Sequence, residues 1–495
     1  MRFRALTAAA LAASLALAAA ACSGDDEAGG STGTGSTAGS TAAPGSTSAS
    51  TSDAPDEGTD SRCPVDELAG ATAPVEVELW HAMNAELETA LTDLIATYQQ
   101  QQQDRVRVKL VNQVGYEENL DKYRAASAGD RPDLVQLPEW ATRLMVDSRT
   151  AVPVQECIDA AGYDLRDHLP SVTAAYTVDG VLWPMPFNVS NPVLYYNRAA
   201  FERAGLDPAA PPRTLEELRQ ASEAIVSSGA ARYGLAVDTG FESGGGWFVE
   251  QWFAQAGELY AEPGNGRAEP ATSVRFDEGF GAELLGFLQA MVADGLAVNV
   301  GENPTGRDTL LKLIDPGQPA AMTIHTSAAL SSVLAILAGG AFPGVELGVG
   351  PMPGPAPDGG VLVGGAALWL PAGDDPLKVA AAWDVARWLA EPEQQAVWST
   401  RTGYVPLRRS AVDLPAVQQA WASRPEYRVA YDQLVATPPG PAGAGPLLGP
   451  QRQVREIVAG AVAEVLNGPD PADALADAAA EADDALADYA RRTGG

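Results

Sequence analysis

The chain has 495 residues, with 64 acidic against 32 basic side chains and a formal net charge of −32. That much negative charge repels nucleic acid phosphates and anionic membrane surfaces, so neither is an expected partner. The length allows two packed lobes or two to three ordinary domains, each with a core of its own.

The N-terminus carries Arg2 and Arg4 and runs on as an apolar stretch from Ala5 to Ala21. It is too short and too Ala-rich for a stable span, and its charge-then-apolar layout reads as a secretory signal over 1–21. Ala19-Ala20-Ala21-Cys22 is similar to the bacterial lipobox, in which the cysteine takes the lipid, although the usual Leu three positions earlier is absent. Lipidation of Cys22 is the expectation, and an ordinary cleaved signal the alternative. Residues 22–62 are then a lipidated cysteine followed by Ser, Thr, Gly, Ala and Asp, a composition that cannot offset its ordering entropy and reads as a flexible linker. Cys63 and Cys157 are the other two cysteines. Outside the cell, parity favours a disulfide between them.

Order is expected from about residue 73. Val75, Val77 and Leu79 alternate with acids and predict a strand with one buried face. A helix follows from Asn84, with Leu87, Leu91, Leu94, Ile95 and Tyr98 on one stripe. Val106 to Leu110 and Asp133 to Leu137 predict two more strands, and the alternation points to a parallel sheet covered by helices. Thr214 with Glu217 three residues on is a capping box opening a helix. Strands are then predicted at 233–237, 320–325, 345–352 and 361–370, and helices at 277–294, 376–390, 391–401 and 472–492. The fold class is α/β.

Catalytic signatures are missing. The three histidines, His81, His168 and His325, lack metal-ligand spacing, so no metal or cofactor is expected. No GxSxG elbow, Walker loop, dinucleotide fingerprint or CxxC motif occurs. Gly244-Gly245-Gly246 does not open a helix with Lys and Ser/Thr, and reads as a loop rather than a phosphate cradle.

Several segments nevertheless form one set. They are Trp80-His81-Ala82-Met83, Gly115-Tyr116-Glu117-Glu118-Asn119-Leu120, the run from Pro186 to Asn197, Ala204-Gly205-Leu206-Asp207-Pro208, Thr402-Gly403-Tyr404-Val405-Pro406 and Gln453-Val454-Arg455. In order and spacing this set resembles the extracellular solute-binding proteins of sugar-type ABC importers, and within them the glycerol-3-phosphate-binding branch. The resemblance covers roughly 74–490. It implies a two-lobed periplasmic-binding-protein type II fold, maltose-binding-protein-like, with a hinge and a ligand cleft between the lobes. Lobe one would combine 73–188 with 361–400, and lobe two 189–358 with 404–490. The chain would cross near Phe187–Pro192 and near Asp358–Gly364.

The resemblance also implies a binding set. Arg455 and Tyr404 match phosphate contacts, Ser190 and Gly365 match donors near the crossing, and Tyr116 and Glu139 match residues that hold the glycerol. Read alone, Arg455 is a helix-surface arginine, Tyr404 a turn-packing aromatic, Ser190 a polar hinge residue, Gly365 a strand kink and Glu139 a solvated charge. Glu139 would have to lie away from the phosphate, since like charges repel. Thr326 stands where the family has Ser. The family's SGWQGW segment corresponds to Phe241–Trp247, where the Trp that walls the pocket is lost. The expected function is delivery of glycerol-3-phosphate or a glycerophosphodiester such as glycerophosphocholine to a membrane permease, by a monomer that does no chemistry. The wider pocket favours the diester. A sugar or oligosaccharide binder is the alternative, kept open by Trp80, Trp140 and Trp247.

Overall fold

The computed structural model describes residues 62–303 and 306–494. The signal segment, Cys22 and nearly all of the linker therefore lie outside the described residues. Among the described residues no helix is long and apolar enough to cross a membrane.

Two sheets organise the chain. In the first, strands Val106–Asn112, Val75–His81 and Leu134–Pro138 run parallel, joined by the helices Ala85–Gln101 and Tyr116–Ala125. Gly364–Pro371 continues this sheet antiparallel to Leu134–Pro138, and Met185–Ser190 pairs with Gly364–Pro371. The sheet is thus mixed rather than purely parallel. Its later strands do not arrive through a strand–helix–strand crossover: Gly364–Pro371 enters from the other sheet and runs back across it. The second sheet has five strands, in the order Ala297–Asn299, Tyr233–Val237, Ala320–Thr326, Pro192–Asn197 and Leu347–Pro351.

The chain passes from the first sheet to the second between Ser190 and Pro192, with Asn191 between them fully buried. Asn191 holds that step in place: its Nδ2 donates to the Ala430 carbonyl at 2.9 Å, and its Oδ1 accepts from Gln433 at 2.6 Å. The return strand begins at Gly364 rather than 361. The Val361 and Leu362 N–H groups bond to Thr437 and Gln251 side chains instead of to a neighbouring strand. Gly365 has φ +92°, and a Cβ there would lie 2.0 Å from the Asn188 carbonyl oxygen. The ladder shifts register just beyond, between Ala366 and Ala367. Glycine is needed at 365 by the strand itself.

The capping box is present, with both Thr214 and Glu217 bonds made. The helix expected over 277–294 spans Gly281–Ala293, because residues before it turn tightly: a Cβ on Gly281 would meet the Phe276 carbonyl oxygen at 1.9 Å. The last helix, Pro471–Thr493, is capped by Asp470 and buries an Ala/Leu stripe including Leu475, Ala482 and Leu486. Cys63 and Cys157 are joined by a disulfide.

Candidate ligand-binding cleft

The helix Gln451–Val465 packs on Gly281–Ala293, on the second-sheet side, and carries Arg455, which is 2% exposed. So deep an arginine needs carboxylate partners, because an unpaired buried charge is very costly. It has two. Nε and Nη2 each donate to a different oxygen of Glu250 at 2.7 Å. Nη1 and Nη2 both donate to a single oxygen, Oε1 of Glu139, at 3.1 Å. Glu250 sits on the apolar helix Trp247–Ala256, and Glu139 directly follows a strand of the first sheet. The pair Arg455–Glu139 therefore spans the two sheets.

Glu139, which read alone is a solvated charge, is instead held against Arg455.

The two edges of Arg455 are held unequally. Glu250 makes a short bidentate pair, reinforced by Gln451 at 3.1 Å. Glu139 offers one oxygen at longer range, and burial pushes its carboxyl up to about 7, with Arg455 pulling it down and Glu250 pushing it up. Folding therefore takes up a proton at Glu139. Its favourable contribution is complete below the ordinary value near 4.5 and is lost as pH rises through about 7. The same sign would govern an anion that pairs with this edge of Arg455. Protonating Glu139 removes a negative charge beside the guanidinium, so affinity for a phosphodiester, which keeps one charge throughout, should rise from about pH 8 to about pH 6. Calorimetric titration across that range checks this, and Glu139→Gln should flatten the profile.

Tyr116 and Tyr404 meet beside the same junction, their hydroxyls 3.5 Å apart. A buried relay fixes the first of them. The Ala82 N–H donates to Gln136, Gln136 donates to Asn188 at 2.7 Å, and Asn188 donates to the Tyr116 hydroxyl at 2.8 Å. The Tyr404 ring stacks on Trp398 at 5.5 Å with a 9° angle between planes. Ser190 is buried and pairs with Gly364 in the ladder. Thr326 ends its strand, and its hydroxyl accepts from the Ala328 N–H at 3.3 Å.

Two chambers open here. One, of about 350 Å³, is lined by Tyr116, Tyr404 and Thr326 among others. The other, of about 650 Å³, is lined by Phe241, Glu242, Trp247, Asn303 and Thr326. Glu242, Gly306, His325 and Thr326 line both. Arg455, Glu139, Ser190 and Gly365 line neither chamber. Sequence reasoning missed Glu250, Gln136 and Asn188.

The glycine run is a packed loop. Gly244 and Gly240 N–H groups donate to Asp238 at 3.0 Å, and the Gly245, Gly246 and Trp247 N–H groups bond to carbonyls of the same turn. No donor remains for a phosphate. A Cβ on Gly246 would lie 3.0 Å from the Arg455 Cβ, so the run lets the arginine helix approach. Among the described residues no cluster of His, Cys, Asp or Glu is arranged to hold a metal.

Residues 93–425 match the family model of the bacterial extracellular solute-binding proteins. The chain belongs to this family. It is 31% identical over 429 residues to the sn-glycerol-3-phosphate-binding periplasmic protein UgpB of Pectobacterium atrosepticum, a match covering 84% of this chain and 92% of that one. The Salmonella typhimurium UgpB is 30% identical, covering 78% and 87%. UgpB from Mycobacterium tuberculosis, solved in complex with glycerophosphocholine, superposes with a TM-score of 0.68 at 22% identity, covering 84% of this chain and 99% of that one. The GacH receptor of Streptomyces glaucescens, solved unliganded and with acarbose, also reaches 0.68 at 20% identity, covering 84% and 99%. These two share the fold, which is the two-lobed type of the maltose-binding proteins.

Proposed function

We propose that this protein captures glycerol-3-phosphate or a glycerophosphodiester such as glycerophosphocholine, and hands it to the permease of an ABC importer without catalysing a reaction. The observation that carries the reading is the unequal hold on Arg455. One edge of the guanidinium is locked by Glu250, and the other is covered by a single oxygen of a carboxyl that titrates near neutrality. A phosphate takes the second edge in a bidentate pair, and Glu139, once displaced, is free to accept hydrogen bonds from the glycerol hydroxyls. Tyr116 and Tyr404 supply hydroxyl donors at the junction. Two UgpB relatives at 30–31% identity support this ligand class.

Contacts across the cleft support a closing motion driven by the ligand. Besides Arg455–Glu139, Arg452 on the second-sheet side pairs with Glu117 at 2.6 Å on the other. In this reading lobe one takes 73–188 and 361–400, lobe two takes 189–358 and 404–490, and Cys22 carries a lipid that holds the body outside the cell membrane. The loop that replaces the family's SGWQGW segment borders the larger chamber, which suits a diester's extra head group.

The sugar reading needs an aromatic face in the cleft. Trp80 is tied to Glu78 at 2.6 Å, and Trp140 is buried in the first-sheet core. Of the three tryptophans, Trp247 alone lines a chamber. Thermal melting against glycerol-3-phosphate, glycerophosphocholine, maltose and trehalose tests the choice. A ligand at a hundred times its Kd stabilises the fold by about 2.7 kcal/mol, a rise of several degrees. The phosphate compounds should give that rise. A rise with sugar alone overturns the ligand and keeps the transporter.

A further inference from the structure

We propose that the smaller chamber is an acyl-chain site, so that the ligand class extends to monoacyl glycerophosphodiesters, the lysophospholipids. This rests on the phosphodiester reading above. The chamber lies between the start of the helix Ala85–Gln101 on the first-sheet side and the helices Asp308–Leu313 and Leu330–Ala338 on the other. Met83, Leu87, Leu310, Ile314, Val333 and Leu337 form its walls. Its rim carries Val114, Leu311 and Ile336, which are 71%, 49% and 46% exposed. Only two other large hydrophobic side chains among the described residues are exposed, Val397 and Val435.

A small polar ligand gives no reason for this surface. Water gains little in an aliphatic slot, and exposed apolar side chains that cluster in one place mark a binding surface. Closure of the two sides does not fill the slot either. Ser332 already bonds Glu86 across it at 3.3 Å, yet about 350 Å³ stays open. What selects an acyl chain is continuity. Tyr116, set on the glycerol by the resemblance, and Tyr404, set on the phosphate, line the same space as the aliphatic walls. A chain esterified to that glycerol enters the chamber without leaving the cleft.

The test is calorimetric titration of the purified protein with glycerophosphocholine and its 1-butanoyl, 1-hexanoyl and 1-octanoyl derivatives, each kept below its critical micelle concentration. Affinity should tighten roughly twofold to fourfold for each added methylene until the chamber is full, at one ligand per protein. The double variant Leu311→Ser with Ile336→Ser should erase most of that gain and leave glycerophosphocholine binding where it was. Both side chains are half exposed or nearly so, and their loss opens no core cavity. Acyl derivatives that bind no more tightly than the parent overturn the chamber and leave the function intact. A gain that survives in the double variant is non-specific adsorption and also overturns it. Failure of glycerophosphocholine itself removes the phosphodiester reading, and the acyl site with it.

Discussion

Arg455→Ala should abolish ligand binding and lower stability by about 3–5 kcal/mol, because it strands charges rather than merely deleting a contact. Glu250 is 2% exposed and loses both of its 2.7 Å bonds. Glu139 loses its only cationic partner among the described residues. Phosphate affinity should fall roughly 30-fold or more, the usual cost of removing one side of a buried charge-assisted pair. The two losses can be separated. Adding Glu250→Gln to Arg455→Ala removes the stranded charge, so the urea midpoint should recover in part while binding stays absent. Arg455→Lys should keep one contact and lose the fork, giving weak binding. Full recovery of binding in the lysine variant would show that the planar guanidinium does not hold the anion.

Much of the fold was legible because its elements follow local rules. Val75, Val77 and Leu79 are all buried as their alternation requires, and Thr214 with Glu217 opens the helix Leu215–Ser228. The limits of legibility lie where partners are far apart in sequence. Arg455 and Glu139 are 316 residues apart, and nothing local to either one announces the other. Glu250 was hidden among 64 acids, yet one signal was there: it is the single charged residue in the apolar helix WFVEQWFAQA. A lone acid in such a helix is either at its surface or paired in its core, and here all but the last residue of that helix are buried. Gln136 and Asn188 act through one another, and a relay of neutral amides leaves no pattern in a sequence. The start of the strand at Gly364 was missed for a similar reason, since Gln251 on a distant helix and Thr437 just past another take up the N–H groups before it.

Removal of the disulfide should cost stability without touching the cleft. Cys63 and Cys157 are fully buried and close a loop of 94 residues. On chain-entropy grounds a cross-link of that span is worth about 4–5 kcal/mol. Beside it, the N-terminal segment buries little side chain of its own. Val65–Gly70 is a single short helical stretch with Leu68 as its one buried residue, resting on the helix Pro376–Leu389. Arg62 adds ion-pair and backbone bonds to Glu156, but both side chains are partly exposed, and such pairs contribute little in water. Once Cys63 is released, Leu68 should detach and expose the edge of that helix. The double variant Cys63→Ser with Cys157→Ser should therefore melt several degrees lower, as should the native protein in reductant. Neither cysteine lines a chamber, so the affinity for glycerophosphocholine should stay within about twofold of the native value, well under 1 kcal/mol. A change in affinity as large as the change in stability would mean that the N-terminal staple sets the geometry of the cleft. An unchanged melting temperature would mean that the residues around Leu68 hold the segment without it.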